Sequence, residues 1–326
     1  MTVREIYELA IRMGVTADPR GKEGVQKQLE REKKRYEKLS KEEKKEFDRE
    51  KLSNPYPDTR FLTGDLDKEV KRILVGIDIG VGEILLADRI TQKGKEVDLI
   101  ISHHPEGKAL AVLDQAVHLQ EELMHRYGIP INVAEGILAK RIAEISRTVA
   151  PINHNRAIDA AKLLGYSMLC IHTPTDNLVY QFIDRLIKRK KPETVGEVVE
   201  ILKRVPEYSE AARHNAGPRI FVGDKDRRAG KTAPLEITGG TSGSQEMYER
   251  LSQAGIGTII GMHIQEAHKK EAEKYHINVV IAGHMASDSV GVNLLLNEIE
   301  KKGKSGQSHI EIIPCSGLIR IIKKGT

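Results

Sequence analysis

From Lys68 onward, short apolar runs alternate with longer segments whose apolar positions recur every three or four residues. The runs predict strands at Ile73–Ile77, Leu99–Ser102, Met168–Ile171, Ile220–Val222, Leu235–Thr238, Thr258–Gly261, Val279–Ala282, Ile310–Pro314 and Leu318–Ile322. Between them lie helical patterns such as Leu178–Lys188, whose Leu178, Val179, Phe182, Ile183, Leu186 and Ile187 form one stripe. The alternation predicts an α/β protein with mainly parallel layers. It loosens near Lys191-Pro192 and again over Asn215 to Pro218, dividing an α/β domain of residues 66–326 into lobes of about 66–190 and 218–326. Residues 105–165 read as a largely helical insertion between two strands, and no fixed-period repeat is visible.

Residues 1–60 form a different region, a charged helical arm. Val3 to Met13 predicts a short amphipathic helix. Lys22 to Lys51 carries only a sparse apolar stripe of Val25, Leu29, Tyr36, Leu39 and Phe47. Ser40 with Glu43 has the spacing of a capping box, which splits this stretch into two helices. Asn54-Pro55-Tyr56-Pro57 ends the arm. Its basic and acidic residues are interleaved and its aromatics few, so it reads as a solvated arm packed along the body or a neighbouring subunit. A nucleic-acid-binding arm is disfavoured.

Composition narrows the classes. The net charge is +5, from 52 Lys and Arg against 47 Asp and Glu, too small to argue for nucleic acid. Abundant Lys and Glu with no Trp lean toward a thermophilic source. No apolar run reaches the roughly 18 residues of a membrane span. The opening MTVREIYELAIRMG lacks the features of a signal peptide. Two cysteines, Cys170 and Cys315, exclude a disulfide framework and fit a cytoplasmic location with both as packing residues.

The informative feature lies just past the strands. In open α/β sheets, ligands bind beyond the carboxyl ends of strands. Leu99–Ser102 runs at once into His103-His104-Pro105, and Met168–Ile171 into His172-Thr173-Pro174-Thr175-Asp176. Val279–Ala282 runs through Gly283 into His284, with Asp288 one turn later, and Thr258–Gly261 runs through Met262 into His263. One such histidine alone is more often a hydrogen-bonded loop residue; four strand ends together point to a site. Imidazole with carboxylate suits zinc first, and also manganese, iron, cobalt or nickel. No thiolate lies near, which excludes a Cys-rich structural zinc. Adjacent His103 and His104 point to opposite sides of an extended chain, an arrangement that serves two ions, and a carboxylate such as Asp176 can bridge them.

Other motifs do worse. Gly223 to Thr232 ends like a phosphate loop, but Lys225 stands at the required glycine and Pro234 precedes a strand rather than a helix. Gly80-Val81-Gly82 lacks the third glycine of a dinucleotide fingerprint, having Leu85 there. Gly239 to Ser244, between a strand and a helix beginning near Gln245, reads equally as an anion-holding loop or a packing turn.

Three of these segments resemble the Nif-three-like family (NGG-interacting factor), whose bacterial members are often labelled type 2 GTP cyclohydrolase I. Ile101-Ser102-His103-His104-Pro105 resembles its strand-then-HHP signature, His172 to Asp176 its HT-x-x-D, and Gly283 to Asp288 its GH-x-x-S/T-E. Ile264 to His268 resembles the helix leading into the last motif, and the likeness spans about Lys68 to Ile322. The resemblance implies two intertwined three-layer α/β/α lobes with two metal ions in the cleft between them, and a homo-oligomeric ring, a hexamer or a trimer. It implies His103, His104, Asp176, His284 and Asp288 as ligands. Asp288 replaces the family's glutamate, shortening the reach by roughly 1.5 Å.

The expected function is a metal-dependent hydrolase, acting on a phosphorylated or nucleotide-like small molecule through two divalent transition-metal ions. His172 and His263 are the expected proton carriers or supporting partners beside the ligands. The alternative is a non-enzymatic ring-forming regulatory or scaffold protein whose metals are structural. Asp288 has its own competing role, as N-cap of a helix beginning near Ser289.

Overall fold

The computed structural model describes residues 1–306 and 309–321. Its strands are β1 (Arg60–Thr63), β2 (Arg72–Gly76), β3 (Leu99–Ser102), β4 (Ser167–Cys170), β5 (Arg219–Val222), β6 (Lys231–Glu236), β7 (Ile256–Gly261), β8 (Asn278–Ile281) and β9 (Glu311–Cys315). They form two mixed sheets, of order β1-β4-β3-β2-β9 and β5-β8-β7-β6. Within each, one edge strand, β1 or β5, is antiparallel and the others are parallel. The chain builds four strands of the first sheet, then the whole second sheet, and returns to add β9 beside β2.

The first sheet is buried on both faces, as parallel strands with helical crossovers must be. Ile73, Val75, Leu99, Ile101 and Leu169 face the helices Val3–Ala17 and His284–Ser305, meeting Val3, Ile6, Leu295 and Leu296. Leu74, Ile100 and Met168 point the other way, onto Ile84, Ala87, Ala157 and Ala161 of the helices Val81–Gln92 and Arg156–Leu163. The two-residue period of the strand thus gives three layers, helix, sheet and helix.

Two features of the arm differ in kind. Gly21–Lys38 buries only Val25, which fits a solvated helix. Val3–Ala17 instead buries six positions, and a capping box between Thr2 and Glu5 fixes its start. The Ser40–Glu43 capping box is present at the second break.

The strand expected at Leu318–Ile322 is not formed: residues 318–321 are irregular, and Ile322 lies outside the described residues. Ser316 and Gly317 both take positive φ and turn the chain, and Ser289 Oγ rather than a neighbouring strand accepts the Ile319 N–H at 3.0 Å. β1 escapes the pattern because only Phe61 and Leu62, between Arg60 and Thr63, are apolar, too short a run to stand out.

Candidate metal centre

The parallel pair β3–β4 of the first sheet and the parallel pair β7–β8 of the second deliver their carboxyl ends to one place. After β3, the His103 and His104 amides continue the ladder to Gly76 O and Ile77 O, at 3.0 and 2.9 Å. After β4, His172 caps the helix Thr173–Lys190 and Asp176 lies in its first turn, where the helix dipole favours a carboxylate. After β8, Gly283 at φ 105° turns strand into helix; a Cβ there would meet Ala216 O at 2.5 Å. The helix therefore starts at His284, earlier than expected, and Asp288 lies one turn inside it rather than at its N-cap. The two helices that carry Asp176 and Asp288 cross at Gly291, where a Cβ would stand 2.2 Å from Thr175 O. Only a glycine lets the carboxylates come this close.

His103 Nε2 lies 3.5 Å from Asp176 Oδ1 and 3.5 Å from Asp288 Oδ1. His104 Nε2 and His284 Nε2 face the other Asp288 oxygen at 3.4 and 3.5 Å. Both adjacent histidines thus address the same carboxylate, one oxygen each, and the carboxylate between them is Asp288. Asp176 stands instead between His103 and His172, whose Nε2 is 3.7 Å from Asp176 Oδ2. His263 reaches the rim, its ring 5.2 Å from that of His284 and its Nδ1 3.1 Å from Ser242 Oγ. All seven sequence-predicted residues therefore converge.

Several supporting residues carry no motif of their own. Asp78 Oδ1 lies 2.7 Å from His104 Nδ1; it comes just after β2 as the histidines come after their strands, so the same strand-end rule finds it. Thr175 Oγ1 and Ile171 O lie 3.0 and 3.2 Å from His103 Nδ1. Asp58, fully buried, places Oδ2 at 2.8 Å from His172 Nδ1 and 2.6 Å from Thr173 Oγ1. No sequence signal marks it, since it sits in the turn-rich segment before β1. Glu236 lines the cavity at the centre with Thr238, Gly240 and Thr241 from the loop after β6. That half-open hollow offers about 30 Å³, room for one or two waters.

The electrostatics follow from burial against close partners. Burial alone would raise the Asp288 carboxyl, but His103, His104 and His284 outweigh it and hold it well below the usual carboxylate range. Asp176 is pushed up to about 6 by burial, with His172 and His103 pulling the other way. Burial lowers His284 to about 4 and also lowers His263. For His172 burial opposes the charge, yet Asp176 and Asp58 win and raise it to about 9.

The donor set fits a metal. His103 Nε2, Asp176 Oδ1 and both Asp288 oxygens are buried without a hydrogen bond. Their separations are too long for good hydrogen bonds. Two atoms bound at 2.0–2.1 Å to one tetrahedral ion lie roughly 3.3–3.4 Å apart. The 3.4–3.5 Å gaps therefore suit ligands facing a shared ion. Three triads have their donor atoms within 4.8 Å of one another: His103-His104-His172, His104-His284-Asp288 and His103-Asp176-Asp288.

No family model matches the chain. No curated protein matches it either. Among solved structures it is similar to a NIF3 superfamily protein from Sphaerobacter thermophilus. Identity is 26%, TM-score 0.69, with 80% of this chain and 92% of that one covered. Weaker likenesses, each with a TM-score of 0.44, reach reduced HcgD from Methanocaldococcus jannaschii and a Bacillus cereus protein related to NIF3. The first is 16% identical with 78% of this chain and 87% of the other covered; the second is 12% identical with 79% and 91% covered. The structural neighbours are NIF3 superfamily proteins, and the mixed α/β architecture agrees with that fold. The fold and the His/Asp groups together support a metal-binding protein. Among the described residues no helix is long and apolar enough to cross a membrane.

Proposed function

We propose that His103, His104, Asp176, His284 and Asp288 hold two divalent transition-metal ions, zinc being favoured, and that the protein is a hydrolase acting on a phosphorylated or nucleotide-like small molecule. The observation that carries this reading is the set of four buried donor atoms that no protein group satisfies. A buried polar atom without a partner costs about 1–3 kcal/mol, more when charged, so four at one spot argue for a ligand that satisfies them. Two such ions, when bound, neutralise charge on a phosphate and lower the pKa of bound water toward neutrality.

The chain's own groups do the rest. Asp288, ionised and reached by three histidines, supplies negative charge on both of its oxygens. His284 and His263 are kept neutral by burial, so His284 keeps a lone pair for ligation and His263 can accept a proton at the rim. Ser242 steadies the His263 ring through Nδ1, leaving Nε2 as the working atom. The resemblance adds a ring, hexamer or trimer, to this reading, and the two-cysteine composition a cytoplasmic location.

One observation favours the non-enzymatic alternative: the hollow at the centre offers only about 30 Å³, little depth in which to seat a nucleotide. Elemental analysis after reconstitution tests the centre; close to two equivalents per chain are expected, and less than about half an equivalent overturns the dinuclear reading. Phosphatase and nucleotide-hydrolysis assays with Mn²⁺ or Zn²⁺ separate the two functions. Turnover that His104→Ala abolishes is expected of the hydrolase. Two bound equivalents with no turnover on any phosphate or nucleotide substrate favour the scaffold.

A further inference from the structure

His103 and His104 share an arrangement: Nδ1 is held by a protein acceptor and Nε2 is turned toward the carboxylates. The acceptors are Ile171 O with Thr175 Oγ1 for His103, and Asp78 for His104. A carbonyl or carboxylate can only accept, so the proton of each neutral ring sits on Nδ1 and the lone pair on Nε2. His172 has the same arrangement, with Asp58 at Nδ1 and Nε2 facing Asp176. Its donor nitrogen also lies within 4.8 Å of those of His103 and His104.

We propose that His172 is a sixth metal ligand, oriented by Asp58, so that the segment before β1 is built into the metal centre. This rests on the His/Asp cluster being a metal centre. A carboxylate on the far nitrogen of a metal-bound histidine fixes its tautomer and ring plane and raises its basicity. Asp58 is held for that task by several contacts. Thr173 Oγ1 donates to it, the Cys170 thiol donates to its carbonyl at 3.2 Å, and the next residue's Thr59 Oγ1 accepts the His172 amide at 3.0 Å. Arg60, 1% exposed, ties the same segment to Asp48 at 2.9 Å. A role as a proton carrier suits His172 less. It is only 6% exposed, and its Nδ1 ends on a fully buried carboxylate.

The test is a Co²⁺ titration of the chelator-stripped full chain, followed by visible ligand-field absorption and by competition affinity. Two equivalents are expected for the unaltered protein. His172→Ala should weaken one of them at least tenfold and change its spectrum. Asp58→Asn should weaken the same equivalent by about 10–100-fold. His118→Ala, distant from the cluster, should change neither. Circular dichroism reports folding; if His172→Ala is unfolded, His172→Gln replaces it. In His172→Gly, added imidazole should restore the lost band, a rescue that general damage would not show. Two equivalents with unchanged affinity and spectrum in folded His172→Ala would overturn the ligand role alone. Failure of the unaltered chain to bind cobalt would overturn the metal centre and this inference with it.

Discussion

Two hollows in this protein invite opposite readings. The cleft between the Gly21–Lys38 helix and the helical insertion is much the larger, about 510 Å³, and lined with arginine, lysine and glutamate. Its polar groups mostly find partners: Arg20 meets Asp18 at 2.7 Å, Lys51 donates to Gln115 Oε1 at 2.7 Å, and His118 meets Glu121 at 2.9 Å, with one oxygen of Glu32 left over. The cavity at the strand ends is far smaller, about 30 Å³, yet Asp176 Oδ1, Glu236 Oε1 and both Asp288 oxygens on its walls find no partner, nor does His103 Nε2 in the same cluster. Volume measures how the surface is furrowed, whereas unpaired buried donors measure what the fold has left to be completed. The second quantity points to chemistry.

That contrast breaks most directly at Asp288. Asp288→Asn should lower metal content by about one equivalent, because a neutral amide is a poor ligand for these ions. Lying inside a helix and not at its cap, the residue has no capping role to confuse the result. Unchanged stoichiometry by elemental analysis would remove Asp288 from the site.

A pH series sharpens it next. In metal-free protein His172 stands at about 9, above the unfolded value near 6.5. A raised pKa contributes stability that is complete below about 6.5 and is lost as pH climbs through 9, here on the order of 3 kcal/mol. His104 is raised as well and acts in the same direction. Urea midpoints in chelator should therefore fall between pH 6.5 and 9. With Zn²⁺ present the slope should reverse, since metal takes the neutral ring. Equal slopes with and without zinc would contradict the centre.

Gly291→Ala probes the helix crossing. Alanine gains up to about 1 kcal/mol of helix propensity. The clash with Thr175 O is with backbone and cannot be relieved by a rotamer, so a net loss of about 1–2 kcal/mol and weaker metal binding are expected. A thermal midpoint at or above that of the parent would show that the helices can part freely. The smallest effect belongs to the cleft: Glu121→Gln should change stability by less than about 0.5 kcal/mol and leave metal content alone. A larger shift in either would mean that the cleft is coupled to the centre.

The histidines of the candidate site are legible in the sequence because a strand end constrains the residue after it. β3, β4, β7 and β8 are strongly apolar, so their limits are visible within a residue or two, and His103, His172, His263 and His284 come directly from them. Asp58 and Glu236 are illegible for different reasons. Asp58 acts on a histidine 114 positions away, a pairing that only the antiparallel docking of β1 on β4 creates. Glu236 ends β6, where a carboxylate looks like ordinary strand termination until the second sheet turns it inward. The expectation of a strand at Leu318 fails because apolar residues that pack against a helix mimic a strand when few in number.

The placement of β9 carries a consequence for synthesis. β2 pairs with β9, so Ile73 must wait for Ile312 to leave the ribosome before its outer edge is covered. Until then the emerging chain holds a half-finished sheet with an apolar, unpaired border, the kind of edge that invites association with other chains. All four strands of the second sheet and the helix His284–Ser305 are synthesised within that interval. Contacts of such long sequence separation slow folding. The clustered histidines and aspartates, all upstream of β9, are made before the sheet that supports them is complete.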